Sequence, residues 1–239
     1  MRRQATLVLA LDVPGREDAL AVASQFVGLP LWMKVGLELY TACGPGIVND
    51  LTAMGFPVFL DLKFHDIPNT VEHAVYSAVQ TGASMLTLHA GGGRAMLEAA
   101  RKGRELACEG RADRPLLMAV TVLTSMAPAD CGCKDIASLQ ALVTERASLA
   151  YRSGLDGVVS SALEVPSIKK ECGAGFLCLC PGIRFGGTQD MADQVRVVAP
   201  DTAVRQGADF LVMGRPIRTA LNPVAAAGEA LALMADALS

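Results

Sequence analysis

The sequence lacks the features that would place it in several specialised classes of protein. No apolar run approaches the roughly 18 residues that a membrane-spanning helix needs, and no repeat, linker or low-complexity tract divides the chain. The formal net charge of -3 is spread along 239 residues without a block of like charges. We therefore expect neither nucleic acid nor a membrane as a partner. An anionic ligand would have to be held by local basic groups.

The N-terminus superficially resembles an export signal, because Arg2 and Arg3 precede an apolar stretch. That stretch covers only residues 5–11 and ends at Asp12, so we interpret it as a first β-strand. A hydrophobic content of 51% over this length allows one large core. We expect a single domain over residues 1–239, in a soluble protein of the cytoplasm.

The cysteines do not follow a recognisable disulfide or zinc-binding pattern. Their number, seven, is odd, they are scattered, and a chain of this size does not need disulfides for stability. Cys131-Gly-Cys133 and Cys178-Leu-Cys180 lack the two-residue spacer that is common in zinc sites. Reduced thiols are the simpler interpretation, with a metal or redox role as the alternative, and no metal site is predicted.

Apolar runs rich in β-branched residues alternate with segments of helical spacing along the whole chain. In residues 71–80 and 136–152, apolar side chains return every three or four positions, as in an amphipathic helix. The apolar runs have the length and composition of buried strands. Eight strands are predicted, over residues 6–12, 31–36, 57–63, 84–90, 115–123, 157–161, 175–183 and 210–217.

Glycines mark the ends of the predicted helices. Each follows a helical segment and precedes the next strand, where a left-handed helix cap is favoured. Seven such caps between eight strands are what a (β/α)8 TIM barrel requires, so the predicted fold class is α/β. A doubly wound open sheet is the alternative, weakened because no GxGxxG follows the first strand. The glycines are Gly28, Gly55, Gly82, Gly110, Gly154, Gly173 and Gly207.

Barrel geometry converts the order of the strands into a location for function. Active sites of this fold lie at the C-terminal ends of the strands. Polar or ligand-binding residue types stand at most of these ends, so we expect them to converge on one rim. They are Asp12, Lys34, Asp61, Lys63, His89, Thr124, Ser125, Pro181, Arg184, Gly214 and Arg215.

The stretch DLKFHDIPNT, residues 61–70, follows the apolar run FPVFL directly and opens with four ionisable groups in six positions. Because side chains alternate along a strand, Asp61 and Lys63 should point to the same side. Lys34 on the adjacent strand and Asp66 in the following loop make an alternating Lys, Asp, Lys, Asp array feasible. Such an array offsets the desolvation of its charges. A purely structural network is the alternative, but charges at a barrel rim favour chemistry.

The eighth strand ends in VMGRPI, which predicts a phosphate site. Gly214 lets a ligand approach the backbone closely, and Arg215 follows it at a predicted helix start. Barrels commonly keep a phosphate site after strands seven and eight. Arg184, in PGIRFGG, could reach the same phosphate. A surface arginine without a ligand is the alternative interpretation of GRPI alone.

Taken together, these residues resemble the orotidine 5'-phosphate decarboxylase family. Besides DLKFHDIPNT, the resemblance is carried in order by ALD at 10–12, KVG at 34–36, TVLTSM at 121–126, PGIR at 181–184, DQVR at 193–196 and MGRPI at 213–217. It covers the whole chain, and no motif position departs from the family's pattern. Residues 131–134 lie outside these motifs and are unexplained.

The resemblance implies a role for each charged residue of the array. Lys63 would be the proton donor, Asp61 would lie beside the substrate carboxylate, and Lys34 would orient Asp61 and the ribose. Asp12 would bind a ribose hydroxyl. Asp66 would reach into the site of a neighbouring subunit, which implies a homodimer.

The resemblance also implies the remaining substrate contacts. Thr124 would meet the pyrimidine edge, and Arg184, Gln194, Gly214 and Arg215 would hold the phosphate, with Pro181 in the same binding set. Ile67 and Thr70 would join Asp66 in the neighbouring site. His65 and His89 receive no chemical role; packing and hydrogen bonding behind the site are expected of them.

The decarboxylation of orotidine 5'-monophosphate that the resemblance implies would explain why a buried strand ends in charges. Loss of carbon dioxide from C6 of the pyrimidine leaves a carbanion, and the sequence has no motif for a cofactor that accepts electrons. The Lys63 ammonium must then supply both electrostatic stabilisation and a proton. Two alternatives are a magnesium-dependent sugar-phosphate decarboxylase or hexulose-phosphate synthase, which use acidic metal ligands where Lys34 stands, and a catalytically silent phosphate-binding barrel.

Overall fold

A computed structural model describes residues 5–185 and 197–237 of the chain as a closed barrel of parallel strands surrounded by helices. The eight strands follow one another around the barrel in sequence order, and β1 pairs with both β2 and β8. Their bounds are β1 Thr6–Ala10, β2 Leu31–Val35, β3 Val58–Phe64, β4 Met85–His89, β5 Leu116–Val120, β6 Gly157–Val159, β7 Leu177–Cys180 and β8 Phe210–Met213.

Helices cross from each strand to the next on the outside of the barrel. Short 3-10 turns lie at Ala90–Gly92, Pro128–Cys131 and Ala162–Glu164. No helix in the described parts of the chain combines the length and apolar character needed to cross a bilayer. The α-helices are α1 Arg16–Ser24, α2 Leu37–Cys43, α3 Gly46–Ala53, α4 Pro68–Val79, α5 Gly93–Ala107, α6 Ile136–Arg152, α7 Val165–Cys172, α8 Pro200–Arg205, α9 Arg215–Arg218 and α10 Pro223–Asp236.

The predicted fold class is confirmed. Each of the eight predicted apolar runs overlaps a strand, and the helical spacing of residues 136–152 corresponds to α6 without a shift at either end. All seven glycines predicted to follow the helices have positive φ angles, between 75° and 98°. The predicted strands are longer than the observed ones mainly at their C-terminal ends, where the chain leaves the sheet to build the barrel mouth.

Strand alternation divides the core into two layers. Val8, Phe59, Met118 and Leu179 belong to the cluster that fills the barrel interior. Their neighbours in sequence, such as Leu7 and Leu9, belong to the larger cluster between the strands and the helices. With both faces of the sheet covered by apolar side chains, the strand positions are fixed, and so are the side chains at their C-terminal ends.

The contact between α4 and α5 leaves no room for a side chain at Gly103. A Cβ atom there would lie 2.2 Å from the backbone oxygen of Glu72. Gly228, inside α10, is exposed and has no atom within 4 Å of such a Cβ. The two glycines therefore allow a matched comparison of packing and helix propensity.

We expect Gly103→Ala to lower the free energy of unfolding by about 1–3 kcal/mol, because the helices must move apart. Gly228→Ala should raise it by about 0.5–1 kcal/mol, because alanine is the better helix former. Urea denaturation followed by circular dichroism measures both. Equal effects of the two substitutions would contradict the close helix contact.

Candidate active site

A cleft of about 760 Å³ opens at the C-terminal ends of the strands. Its floor is formed by interior side chains of the barrel, and its walls by the C-terminal part of β3 and the segments that follow β1, β2, β5, β7 and β8. Nine of the residues predicted for the site line it, namely Asp12, Lys34, Asp61, Lys63, Thr124, Pro181, Arg184, Gly214 and Arg215.

Four charged side chains from three strands form one connected chain at one side of this cleft. The Nζ atom of Lys34 lies 3.0 Å from Oδ1 of Asp12 and 3.8 Å from Oδ2 of Asp61. The same Oδ2 atom accepts a hydrogen bond of 2.8 Å from Nζ of Lys63. Positive and negative groups alternate, so each charge has an opposite neighbour.

Burial makes this pairing necessary. Lys34 and Asp61 are only 9% and 8% exposed, and a charge removed from water without a partner is strongly destabilising. Lys63 is partly exposed towards the cleft, so its ammonium is the more accessible of the two cations in the chain. Space around Lys34 is also limited, because a Cβ atom on Gly36 would lie 2.8 Å from the Lys34 Nζ.

The backbone of β3 departs from regular strand geometry where it carries these groups. Leu60 pairs with Leu86 of β4, but Phe64 pairs with Leu88, so between these pairs three residues of β3 lie opposite one residue of β4. Within this bulge Lys63 adopts a φ angle of 52°, the left-handed conformation that non-glycine residues rarely take. Such a conformation costs about 1–3 kcal/mol and persists only where surrounding contacts hold it.

The hydroxyl of Thr87 contacts both functional residues of β3. Thr87 is fully buried in β4, where its Oγ1 accepts a hydrogen bond of 3.0 Å from the Lys63 backbone N–H and donates one of 2.8 Å to Oδ1 of Asp61. Sequence reasoning missed this residue because threonine is an ordinary strand former. The alternation of MLTLH, which places Thr87 on the same face as Met85 and His89, was the available signal.

Asp66 is the point at which the predicted array differs from the structure. Within one chain the array ends at Lys63 on one side and at Asp12, beside Lys34, on the other, while Oδ1 of Asp66 accepts a 2.6 Å hydrogen bond from the backbone N–H of Ile67. Asp66, Ile67 and Thr70 are exposed and do not line the cleft of their own chain. The loop turns outward here because α4 begins at Pro68.

Arginines surround the opposite side of the cleft. Arg184, after β7, is 8% exposed, and Arg215 follows Gly214 at the start of the single turn α9. Arg218, at the end of that turn, was not predicted. It also lines the cleft, and its buried Nε has no hydrogen-bond partner within the described residues. Together these groups suit an anionic ligand.

Some predicted phosphate contacts cannot be placed. Gln194 and the DQVR motif at 193–196 lie outside the described residues, as does the part of the FGG segment beyond Phe185. Ser125, which was expected at the rim but given no role, is exposed and lines the cleft. Glu38 is an exposed lining residue that was not predicted.

The two histidines near the site lie against each other. The rings of His65 and His89 are 5.3 Å apart and tilted by 35°. Burial, together with the positive charges of His65 and Lys63, lowers the pKa of His89. A neutral His89 adds no further positive charge beside the Lys63 ammonium.

All seven cysteines are free thiols, and in the described parts of the chain no three His, Cys, Asp or Glu side chains form a metal-ligand group. Cys178 and Cys180 face the helices from β7. Burial raises the pKa of Cys178 to about 12 and also raises that of Cys180. Neither thiol is therefore a nucleophile near neutral pH.

We expect iodoacetamide at pH 8 to label the partly exposed Cys43, Cys131 and Cys133 before Cys178 and Cys180, as measured by peptide mass spectrometry. The pKa of Cys178 is about 12 in the folded protein and ~8.5 in an unfolded chain. Between these pH values only the unfolded state loses the proton, so the contribution of Cys178 to the free energy of unfolding should fall as pH rises. Labelling all five at one rate without unfolding would contradict the burial of β7.

Comparisons with known proteins agree with this geometry. A family model described as "Orotidine 5'-phosphate decarboxylase / HUMPS family" matches residues 5–230. The chain is 49% identical over 233 residues to orotidine 5'-phosphate decarboxylase of Nitratidesulfovibrio vulgaris (strain DP4), covering 97% of this chain and 98% of the relative. For the enzyme of that name from Maridesulfovibrio salexigens, identity is 50% over 228 residues, with 95% and 98% covered.

A solved structure of an enzyme with the same name as these relatives is also similar to this chain. The crystal structure of orotidine 5'-phosphate decarboxylase from Lactobacillus acidophilus superposes with a TM-score of 0.83 at 33% sequence identity. The match covers 96% of this chain and 99% of that one.

Proposed function

The chain belongs to the orotidine 5'-phosphate decarboxylase / HUMPS family, and on that basis we propose that it converts orotidine 5'-monophosphate to uridine 5'-monophosphate in de novo pyrimidine biosynthesis. It is a carboxy-lyase. The observation that carries the proposal is the Lys63 ammonium, which is hydrogen-bonded to the buried Asp61 and open to the cleft.

The reaction requires a proton at the carbon that loses the carboxylate. The bond from C6 to the carboxyl carbon breaks, its electron pair stays on C6, and carbon dioxide leaves. Lys63 then transfers a proton from Nζ to C6 and regains one from solvent. An ammonium held at this position stabilises the developing negative charge before the transfer, without reorganisation of water.

Asp61 and its partners hold that ammonium in position. Oδ2 of Asp61 lies between Nζ of Lys63 and Nζ of Lys34, so the carboxylate directs both cations towards the cleft. In the proposal Asp61 lies beside the substrate carboxylate, while Lys34 and Asp12, joined at 3.0 Å, bind the ribose. The charge chain thus serves two parts of one nucleotide.

The arginine side of the cleft suits the 5'-phosphate. Arg184, Gly214 and Arg215 hold it in the proposal, with Gln194 from outside the described residues, and Thr124 and Pro181 contact the rest of the ligand. Because the phosphate does not react, its binding energy aids catalysis only by closing and aligning the site around C6.

The proposal includes a homodimer. The segment with Asp66, Ile67 and Thr70 follows the cleft residue Lys63 closely in sequence but does not line the cleft. Ile67 is 66% exposed. A second copy that receives these residues would bury this apolar side chain and complete the charge array with Asp66. One domain over residues 1–239 and a cytoplasmic location are parts of the same proposal.

The alternative within the family is a magnesium-dependent enzyme acting on a sugar phosphate. Such enzymes use acidic metal ligands where Lys34 stands in this chain. Here an ammonium lies within 3.0 and 3.8 Å of the two carboxylates that would otherwise be available to a cation. Positive charge already occupies this position, which favours the decarboxylase that needs no metal.

We expect purified protein to consume the orotate chromophore of orotidine 5'-monophosphate, followed by ultraviolet absorbance, in the presence of a strong chelator. Lys63→Ala should lower kcat by at least about 10³-fold, because both the proton and the electrostatic stabilisation are lost. Melting temperature and binding of uridine 5'-monophosphate should change little.

Two results would overturn this assignment. Turnover retained by Lys63→Ala would remove its role as proton donor. Activity that the chelator abolishes and magnesium restores would favour the sugar-phosphate enzyme. Lys102→Ala is a matched control, since Lys102 forms an exposed ion pair with Glu72 away from the cleft; it should keep wild-type kcat.

Mixed dimers test the contribution of Asp66. Lys63→Ala and Asp66→Ala should each be nearly inactive alone, whereas a mixture should regain activity, because one site of each mixed dimer contains both wild-type residues. About a quarter of wild-type activity is expected after random exchange of subunits. Exchange proven by native mass spectrometry without recovered activity would count against Asp66 acting across the interface.

A further inference from the structure

We infer that Thr87 is a positioning residue for the proposed decarboxylation: its hydroxyl group fixes the Asp61 carboxylate and the left-handed backbone of Lys63 relative to each other. The inference rests on the proposed function for its catalytic consequence. Its structural part rests on the hydrogen bonds of one buried side chain.

The bulge in β3 creates the need for such a residue. Between Leu60 and Phe64 the regular pairing with β4 is interrupted, so the backbone N–H groups of this stretch lose their usual strand partners. The Lys63 N–H is directed instead to Oγ1 of Thr87 at 3.0 Å. Thr87 lies between Leu86 and Leu88, which are the two β4 residues that flank the interruption.

The same hydroxyl sets the direction of the carboxylate. Thr87 donates to Oδ1 of Asp61 at 2.8 Å, which leaves Oδ2 for Lys63 at 2.8 Å and Lys34 at 3.8 Å. A hydroxyl has one proton to donate and lone pairs to accept with, so Thr87 can make both contacts at once. A carboxylate bound at both oxygens cannot rotate without losing one of them.

The backbone and the ammonium group of Lys63 are therefore both held in place, by Thr87 and Asp61. Thr87 holds its backbone, and Asp61, itself held by Thr87, holds its ammonium. Loss of the hydroxyl would free the backbone to leave its φ of 52° and let the ammonium move. Thr87 is not itself among the residues that line the cleft, so its effect on a reacting atom passes through Asp61 and Lys63.

Thr87→Val keeps the branched shape but removes the hydroxyl, and Thr87→Ser keeps the hydroxyl. We expect Thr87→Val to lower kcat by about 10- to 100-fold, as for loss of a hydrogen bond to a charged group. KM should change by less than about threefold, since the arginines proposed to bind the phosphate are unchanged. Thr87→Ser should remain within about threefold of wild type.

Thr121→Val is the matched control. Thr121 is also fully buried, at the end of β5, and its hydroxyl donates to the backbone oxygen of Val159 rather than to the charge chain. It should keep wild-type kcat even if its melting temperature falls. A drop of kcat equal to that of Thr87→Val would show that any lost buried hydroxyl has this effect, and would overturn the inference.

Hydrogen exchange of the Lys63 amide, measured by NMR, gives a result that does not depend on turnover. The amide should exchange at least about tenfold faster in Thr87→Val than in wild type, Thr87→Ser or Thr121→Val. Unchanged exchange together with unchanged kcat in Thr87→Val would overturn the inference. Wild-type protein that does not consume orotidine 5'-monophosphate would instead overturn the proposed function, while amide exchange would still decide whether Thr87 holds this segment.

Discussion

Asp61 is the side chain on which the arrangement of the site depends. One carboxylate, 8% exposed, contacts Lys63, Lys34 and Thr87 from β3, β2 and β4. A buried anion with fewer partners would be costly, and the two neighbouring cations without it would repel each other. The charges can therefore be concentrated at the barrel mouth only as a set, and their mutual pairing supplies the geometry that the proposed chemistry needs.

The barrel makes this concentration possible. Parallel strands covered on both faces by apolar side chains hold their C-terminal ends in fixed relative positions, so residues distant in sequence meet on one rim. The two halves of the cleft follow from strand order: the ends of β1 to β3 supply the alternating charges, and the segments after β7 and β8 supply the arginines. A nucleotide spanning the cleft would meet chemistry at one end and phosphate recognition at the other.

Much of this was accessible from the sequence because the signals are local. Apolar runs and the glycines after each helix were sufficient for eight strands, and barrel geometry then brought Lys34, Asp61 and Lys63 together. The remaining features depend on pairs of strands. The register shift between β3 and β4, and with it the backbone of Lys63 and the role inferred for Thr87, cannot be obtained by applying alternation to one strand at a time. Asp66 was expected in the array because it is near in sequence, but in its own chain it lies outside the array because Pro68 starts α4 and turns the loop outward. Asp12 instead extends the array at the Lys34 end.

Gly36, which has no side chain, also limits how the active site could be redesigned for other substrates. A methyl group there would occupy space within 2.8 Å of the Lys34 Nζ, so a library aimed at bulkier substrates should leave this position unchanged. Glu38 and Ser125 line the same cleft but are exposed at its edge. Randomising those two positions would alter the entrance while preserving the interior electrostatics, which separates the choice of substrate from the machinery that acts on it.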